Sequence, residues 1–200
     1  MKLPLYQIDA FTKRLFGGNP AAVVTLDQWL ADDVLQAIAA ENNLAETAFV
    51  VPRKDMALLR WFTPTVEVDL CGHATLAAGH VLFAYHYPSL KKLSFSTRSG
   101  AVAVSREGDR LSLDFPARPG SPTEVSDGLA SALGARPREA YLARDILAVF
   151  DTEAAIQALR PDFGLIAALD AFAVIVSAPG HEVDFVFRFF APRAGIPEDP

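Results

Sequence analysis

Between His73 and Tyr85 the chain carries Leu76, Ala77, Ala78, Val81, Leu82, Phe83 and Ala84, so a helix drawn through this stretch is apolar on nearly every side. A helix without a wet face has to be wrapped by other elements. Three strand-like runs follow and can supply the wrapping: Leu93–Thr97, Ala101–Arg106 and Leu111–Phe115, the last two joined by a Gly108-Asp109 hairpin turn. The first lobe is therefore expected to be a curled sheet around one central helix. With 51% hydrophobic residues among 200, the apolar material suffices for one large core or two small ones.

Upstream of that helix, Leu3–Ala10 reads as a strand and Gly17-Gly18-Asn19-Pro20 as the turn into a second one. Asp32 is placed to cap a helix whose buried stripe is Val34, Leu35, Ile38 and Ala39. In the strand expected at Ala45–Val51, period-two alternation puts Glu46, Ala48 and Val50 on one face, which sets a carboxylate in line with apolar neighbours. Another strand is expected at Leu58–Thr63. Pro116, Pro119, Gly120 and Pro122 mark a linker at 117–122, which divides an N-terminal lobe, 1–116, from a second lobe, 123–200. The second lobe is expected to hold a helix near Ser126–Leu133, a hairpin around Arg144-Asp145, helices at Thr152–Leu159 and Asp162–Leu169, and strands at Phe172–Ser177 and Val183–Phe190.

An internal repeat links the two lobes. Arg60-Trp61-Phe62-Thr63-Pro64 resembles Arg188-Phe189-Phe190-Ala191-Pro192, and both run on toward acidic residues. In the first lobe those acids lead into Cys71-Gly72-His73 and the central helix, whereas in the second Glu198 and Asp199 precede only Pro200. The repeat predicts a second wrapped helix that these 200 residues do not contain, so the second lobe is expected to be incomplete and to be partly unfolded, to expose an apolar trough or to swap elements in a dimer.

A net charge of −6 and a sequence pI of about 5.2, without a Lys/Arg cluster, argue against nucleic acid and anionic lipid as partners. The opening MKLPLYQIDAF has no continuous apolar h-region, and no later stretch reaches ~18 uninterrupted apolar residues, so the expected location is the cytoplasm rather than a membrane. Cys71 is the only cysteine, which excludes an intrachain disulfide and a Cys-based structural metal site. The spacings of His73, His80, His86 and His181 match no metal motif. No metal is expected.

Four segments together, FGGNPAAVV, ENNLAETAFV, FTPTVEVDLCGHATLAAG and RFFAPRAGIPEDP, resemble the phenazine-biosynthesis PhzF-like family across the whole length. The resemblance implies an α+β fold like diaminopimelate epimerase: two similar lobes, each a mixed curled sheet around a central helix, with the active site between them and a homodimer as the usual assembly. Family members continue past the last segment into a second central helix, and this sequence departs from the pattern there.

The resemblance places the family's proton-shuttling glutamate on Glu46, the histidine at the start of the central helix on His73, and the acid of the second lobe on Asp199. Burial beside Ala48 and Val50 would push a Glu46 carboxyl up toward the range where it can exchange protons near neutral pH. Free N–H groups at the start of a helix favour a bound carboxylate, and Gly72 is expected to let substrate approach the backbone there. Asn19 is expected to line the substrate site from the Gly-Asn-Pro turn. Cys71 lies at the same helix start, where related epimerases carry one of a pair of thiols; a single thiol cannot form that pair, and it reads as a buried spectator. Asp199, being penultimate, is expected to be frayed and solvated in this chain.

The implied function is a cofactor-independent isomerase that moves a proton within a small unsaturated carboxylate substrate. Two alternatives stand beside it: an amino-acid epimerase or racemase, and a noncatalytic truncated fragment.

Overall fold

The computed structural model describes residues 2–199, which divide into two compact units, 2–116 and 117–199. In the first unit β1 (Leu5–Ala10) pairs antiparallel with β2 (Asn19–Thr25), and α1 (Asp32–Asn42) carries the chain back so that β3 (Glu46–Val51) runs parallel to β2. β4 (Ala57–Phe62) lies antiparallel to β3, and the two-residue β5 (Glu67–Val68) pairs with its far end. Then comes α2 (Gly72–Val81), prolonged by a π-helical turn at Leu82–His86. β6 (Lys92–Thr97), β7 (Gly100–Glu107) and β8 (Arg110–Asp114) complete an eight-stranded sheet of order β1-β2-β3-β4-β6-β7-β8, with β6 parallel to β4.

α2 packs on β1, β2, β3, β7 and β8, both edges of the sheet included, which requires the sheet to curl around it. Ala74, Ala77, Ala78, Val81, Leu82 and Phe83 are buried there. The packing is tight: a Cβ added at Gly79 would lie 2.9 Å from Val104 on β7. The helix is nevertheless not dry all round. His80, Ala84 and Tyr85 are exposed, and Tyr85 stacks on Tyr6 with ring centres 4.8 Å apart. A cavity of about 510 Å³ runs along this side, lined by Ile8, Asp9, Leu76, His80, Arg110 and Leu111, because edge strands β1 and β8 do not pair with each other.

α1 covers the outer face of the same sheet, with Leu35 and Ala39 against Val24, Phe49, Val51 and Phe62. Two expectations for it are corrected. The N-cap is Ala31, without a side-chain cap, because the Asp32 carboxylate turns to Arg60 instead, 2.8 Å away. Val34 is exposed rather than part of the buried stripe, since the sheet meets only the Leu35 and Ala39 side of the helix.

The second unit contains β9 (Ser121–Thr123), α3 (Asp127–Leu133), β10 (Glu139–Leu142), β11 (Ile146–Val149), α4 (Glu153–Ala158), α5 (Phe163–Ala168), β12 (Val174–Pro179), β13 (Phe185–Ala191) and β14 (Ile196–Asp199). They form a six-stranded sheet of order β14-β13-β12-β11-β10-β9, parallel only between β11 and β12. The stretch expected as linker thus gives Ser121 and Pro122 to an edge strand, where the missing N–H of a proline is tolerated. Side chains of Ser126, Thr152 and Asp162 accept hydrogen bonds from the first turns of α3, α4 and α5, and Gly134 ends α3 in the left-handed region at φ 75°.

These short helices cover one face of the sheet, where Leu129, Leu133, Ile156 and Ile166 meet Ala148, Val174, Val176 and Phe190. Strand alternation sends Leu147, Ile175, Phe185, Phe187 and Phe189 to the other face. Phe185 and Phe187 are 61% and 57% exposed on that face. Among the described residues of this unit no helix exceeds seven residues, and none lies in the place that α2 takes in the first. No helix among the described residues is long and apolar enough to cross a membrane.

The repeat is also a physical motif. The Arg60 guanidinium holds both carboxylate oxygens of Glu67 at 2.8 Å and lies 5.0 Å over the Phe62 ring. Arg188 does the same with Glu198, at 2.6 and 2.8 Å, and lies 5.0 Å over Phe190. Hydrogen bonding from Arg188 holds the Glu198 carboxyl below its ordinary range. This clamp secures the last strand, so Asp199 is not frayed as expected: it sits on β14 opposite Phe189, as Val68 sits on β5 opposite Trp61.

Candidate active site

β2 and β3 are parallel, with Ala21 opposite Glu46, so their first residues lie at the same end of the sheet. Ala39 accepts the N–H of Asn43, whose left-handed backbone (φ 50°) ends α1 and turns the chain into β3. Alternation aims Asn19 on β2 and Glu46 on β3 at the face that holds α2, opposite to the face of Val24, Phe49 and Val51 that α1 covers. At that end α2 begins, with Cys71 as its extended N-cap and His73 as its second residue. The Thr75 hydroxyl donates to the Cys71 carbonyl and ties the N-cap to the first turn. Nothing in the sequence reading singled out Thr75; a threonine four residues past a helix start is the signal that was there.

The result is a buried cluster. Glu46, Asn19, Cys71 and His73 are 4–7% exposed. Glu46 Oε2 is 3.3 Å from His73 Nε2, Asn19 Nδ2 is 3.2 Å from His73 Nδ1, and Cys71 Sγ is 3.6 Å from the same nitrogen. With Asn19 Nδ2 donating to Nδ1, the ring proton falls on Nε2, the nitrogen that faces Glu46 Oε2. In this orientation the Asn19 amide favours the Nε2–H tautomer of the histidine beside Glu46. Nitrogen-15 NMR of the wild-type chain is expected to show His73 protonated at Nε2, with Asn19→Asp drawing a proton to Nδ1. A wild-type ring protonated at Nδ1 would reverse this assignment.

Of the residues singled out in the sequence, Asn19, Glu46, Cys71 and His73 meet in the first unit, while Asp199 belongs to the second. At Gly72 a Cβ would meet Phe115 at 3.6 Å and Leu113 at 3.9 Å, ordinary contact distances. His80 and His86 are exposed on the central helix and its π-helical extension, and His181 is an exposed turn residue whose N–H donates to Glu153.

Fold and site together define an α+β protein with a sheet curled around a helix and a carboxyl, imidazole and thiol gathered at the helix start. The solved structure of a PhzF-family phenazine biosynthesis protein from Enterococcus faecalis superimposes with a TM-score of 0.91 at 46% identity, covering 100% of this chain and 77% of that one. A Pseudomonas aeruginosa protein named as a predicted epimerase shares the fold, with a TM-score of 0.75 at 19% identity over 99% of this chain and 76% of its own. In sequence, an uncharacterized isomerase of Pseudomonas aeruginosa is 51% identical over 201 residues, which are 100% of this chain and 77% of the relative. Residues 8–200 match the phenazine biosynthesis-like (PhzC-PhzF) family, and the chain belongs to it.

Proposed function

We propose that the chain acts as an isomerase that transfers a proton within a small, unsaturated carboxylate substrate, with Glu46 as the proton carrier. The observation that carries this reading is the Glu46 carboxylate, 92% buried and 3.3 Å from His73 Nε2 at the start of α2. Glu46 takes a proton from a carbon made acidic by conjugation, and the electron pair of that C–H bond shifts the double bond. The protonated carboxyl then returns the proton to the far carbon, so atoms and charge balance within one molecule. The free N–H groups at the helix start favour the substrate carboxylate. His73 orients the glutamate through Nε2–H. Asp199 is the proposed second acid, on the strength of its match to the family motif.

The Cys71 thiol, 3.6 Å from His73 Nδ1, favours a second reading, an epimerase in which a thiol serves as one of two bases. A panel of small unsaturated carboxylates and α-amino acids in deuterated water separates the two. The isomerase reading expects a migrated double bond with the proton moved inside the substrate. The epimerase reading expects deuterium at a single inverted stereocentre. Neither a migrated double bond nor deuterium at an inverted centre anywhere in the panel would remove both.

A further inference from the structure

We propose that Cys71 and His73 form a binding site for one thiophilic divalent cation of the zinc or cadmium type. The spacing Cys71-Gly72-His73 fits no metal motif, because a motif counts residues and this pairing depends on the bend at the helix start. Cys71 is extended, at φ −145° and ψ 122°, while His73 is already helical, and the change of direction brings their side chains together.

The distance between the donors is the deciding quantity. With Zn–S of about 2.3 Å, Zn–N of about 2.0–2.1 Å and a tetrahedral angle, sulfur and nitrogen bound to one zinc ion lie about 3.6 Å apart. Cys71 Sγ and His73 Nδ1 are 3.6 Å apart. The nitrogen that would coordinate is Nδ1, whose lone pair the Asn19 amide must give up to the ion. Its partner, Nε2, is 3.3 Å from Glu46 Oε2, the carboxylate–histidine pairing that orients metal-bound imidazoles and strengthens them as ligands. The carboxylate, thiol and imidazole donors all lie within 4.8 Å of one another, and all three residues are buried. Asn19 Nδ2 is 3.2 Å from Nδ1, and a half-turn of that amide presents its oxygen as a third ligand.

Binding converts the Cys71 thiol to a metal thiolate and releases its proton to solvent, without any change of oxidation state. A sulfur–nitrogen pair selects zinc and cadmium over magnesium and calcium, which take oxygen ligands. On the isomerase reading the cation and the substrate exclude each other, but the binding itself does not depend on that reading.

Cadmium titration of the 200-residue chain is expected to give a sulfur-to-metal charge-transfer band that saturates at one ion per chain, and Cys71→Ser to lose it. Independently, zinc is expected to slow alkylation of Cys71 in the wild-type chain at least tenfold, with recovery on adding a chelator and no effect of magnesium. Absence of the band at saturating cadmium, undiminished binding in Cys71→Ser, or equal protection by magnesium would each overturn the site. None of these readouts measures turnover, so failure here leaves the isomerase proposal standing.

Discussion

Glu46→Gln is expected to lower isomerase turnover by ~10²–10⁴-fold, the usual contribution of a positioned acid–base group, while the thermal midpoint stays close to that of the wild type. The amide has the shape of the carboxyl and its oxygen can take the same place, 3.3 Å from His73 Nε2. It cannot carry the proton. Glu46→Asp tests position rather than acidity, because it withdraws the carboxyl by one methylene and a misplacement of about 1 Å costs up to about 10²-fold. Steady-state turnover of the three proteins, with unfolding followed by circular dichroism, checks both. Glu46→Gln with wild-type turnover would take the residue out of the mechanism.

Gly18→Ala is expected to have the largest effect on stability of any one-carbon addition in the first unit, and to disturb Asn19 beside it. Gly18 has φ 72°, and a Cβ there would collide with the Ala10 carbonyl oxygen and lie 2.9 Å from Thr12 Cγ2. The left-handed backbone costs an L-residue about 1–2 kcal/mol, and overpacking adds about 1–3 kcal/mol. The obstacle is backbone, which has little room to move, because Ala10 is paired with Asn19 at the end of the β1–β2 ladder. Gly108 provides the control: it has φ 60° and nothing within 4 Å of its missing Cβ, so Gly108→Ala carries only the conformational part. Chemical denaturation of the two variants isolates the collision as their difference. Equal losses would show that the β1–β2 connection yields, and that Asn19 is not held by it.

Much of this architecture was legible in local features. The apolar run Leu76–Ala84 announced a wrapped helix, and α2 lies inside a curled sheet. Ser126, Thr152 and Asp162, the first residues of three expected helices, cap α3, α4 and α5. The repeated Arg-x-Phe-x-Pro turned out to be an arginine clamped between a ring and a carboxylate in each unit. Local reading failed where the outcome depended on a distant partner. Asp32 looked like a cap until Arg60, twenty-eight positions away, took its carboxylate. Asp199 looked frayed because the strand that holds it begins fourteen residues earlier, at Phe185.

The sequence by itself determined the helix that must be wrapped, the start and stop of most elements, the repeat and the membership in the phenazine biosynthesis-like family, since each rests on residues close together in the chain or on motifs read in order. Only the tertiary structure decided that Asn19 and Glu46 face His73, and that the Cys71 sulfur stands 3.6 Å from the ring. Those facts depend on β2 and β3 running parallel with Ala21 opposite Glu46. Strand order and register are set by the packing of the whole sheet around α2, and period-two alternation alone is compatible with many other pairings.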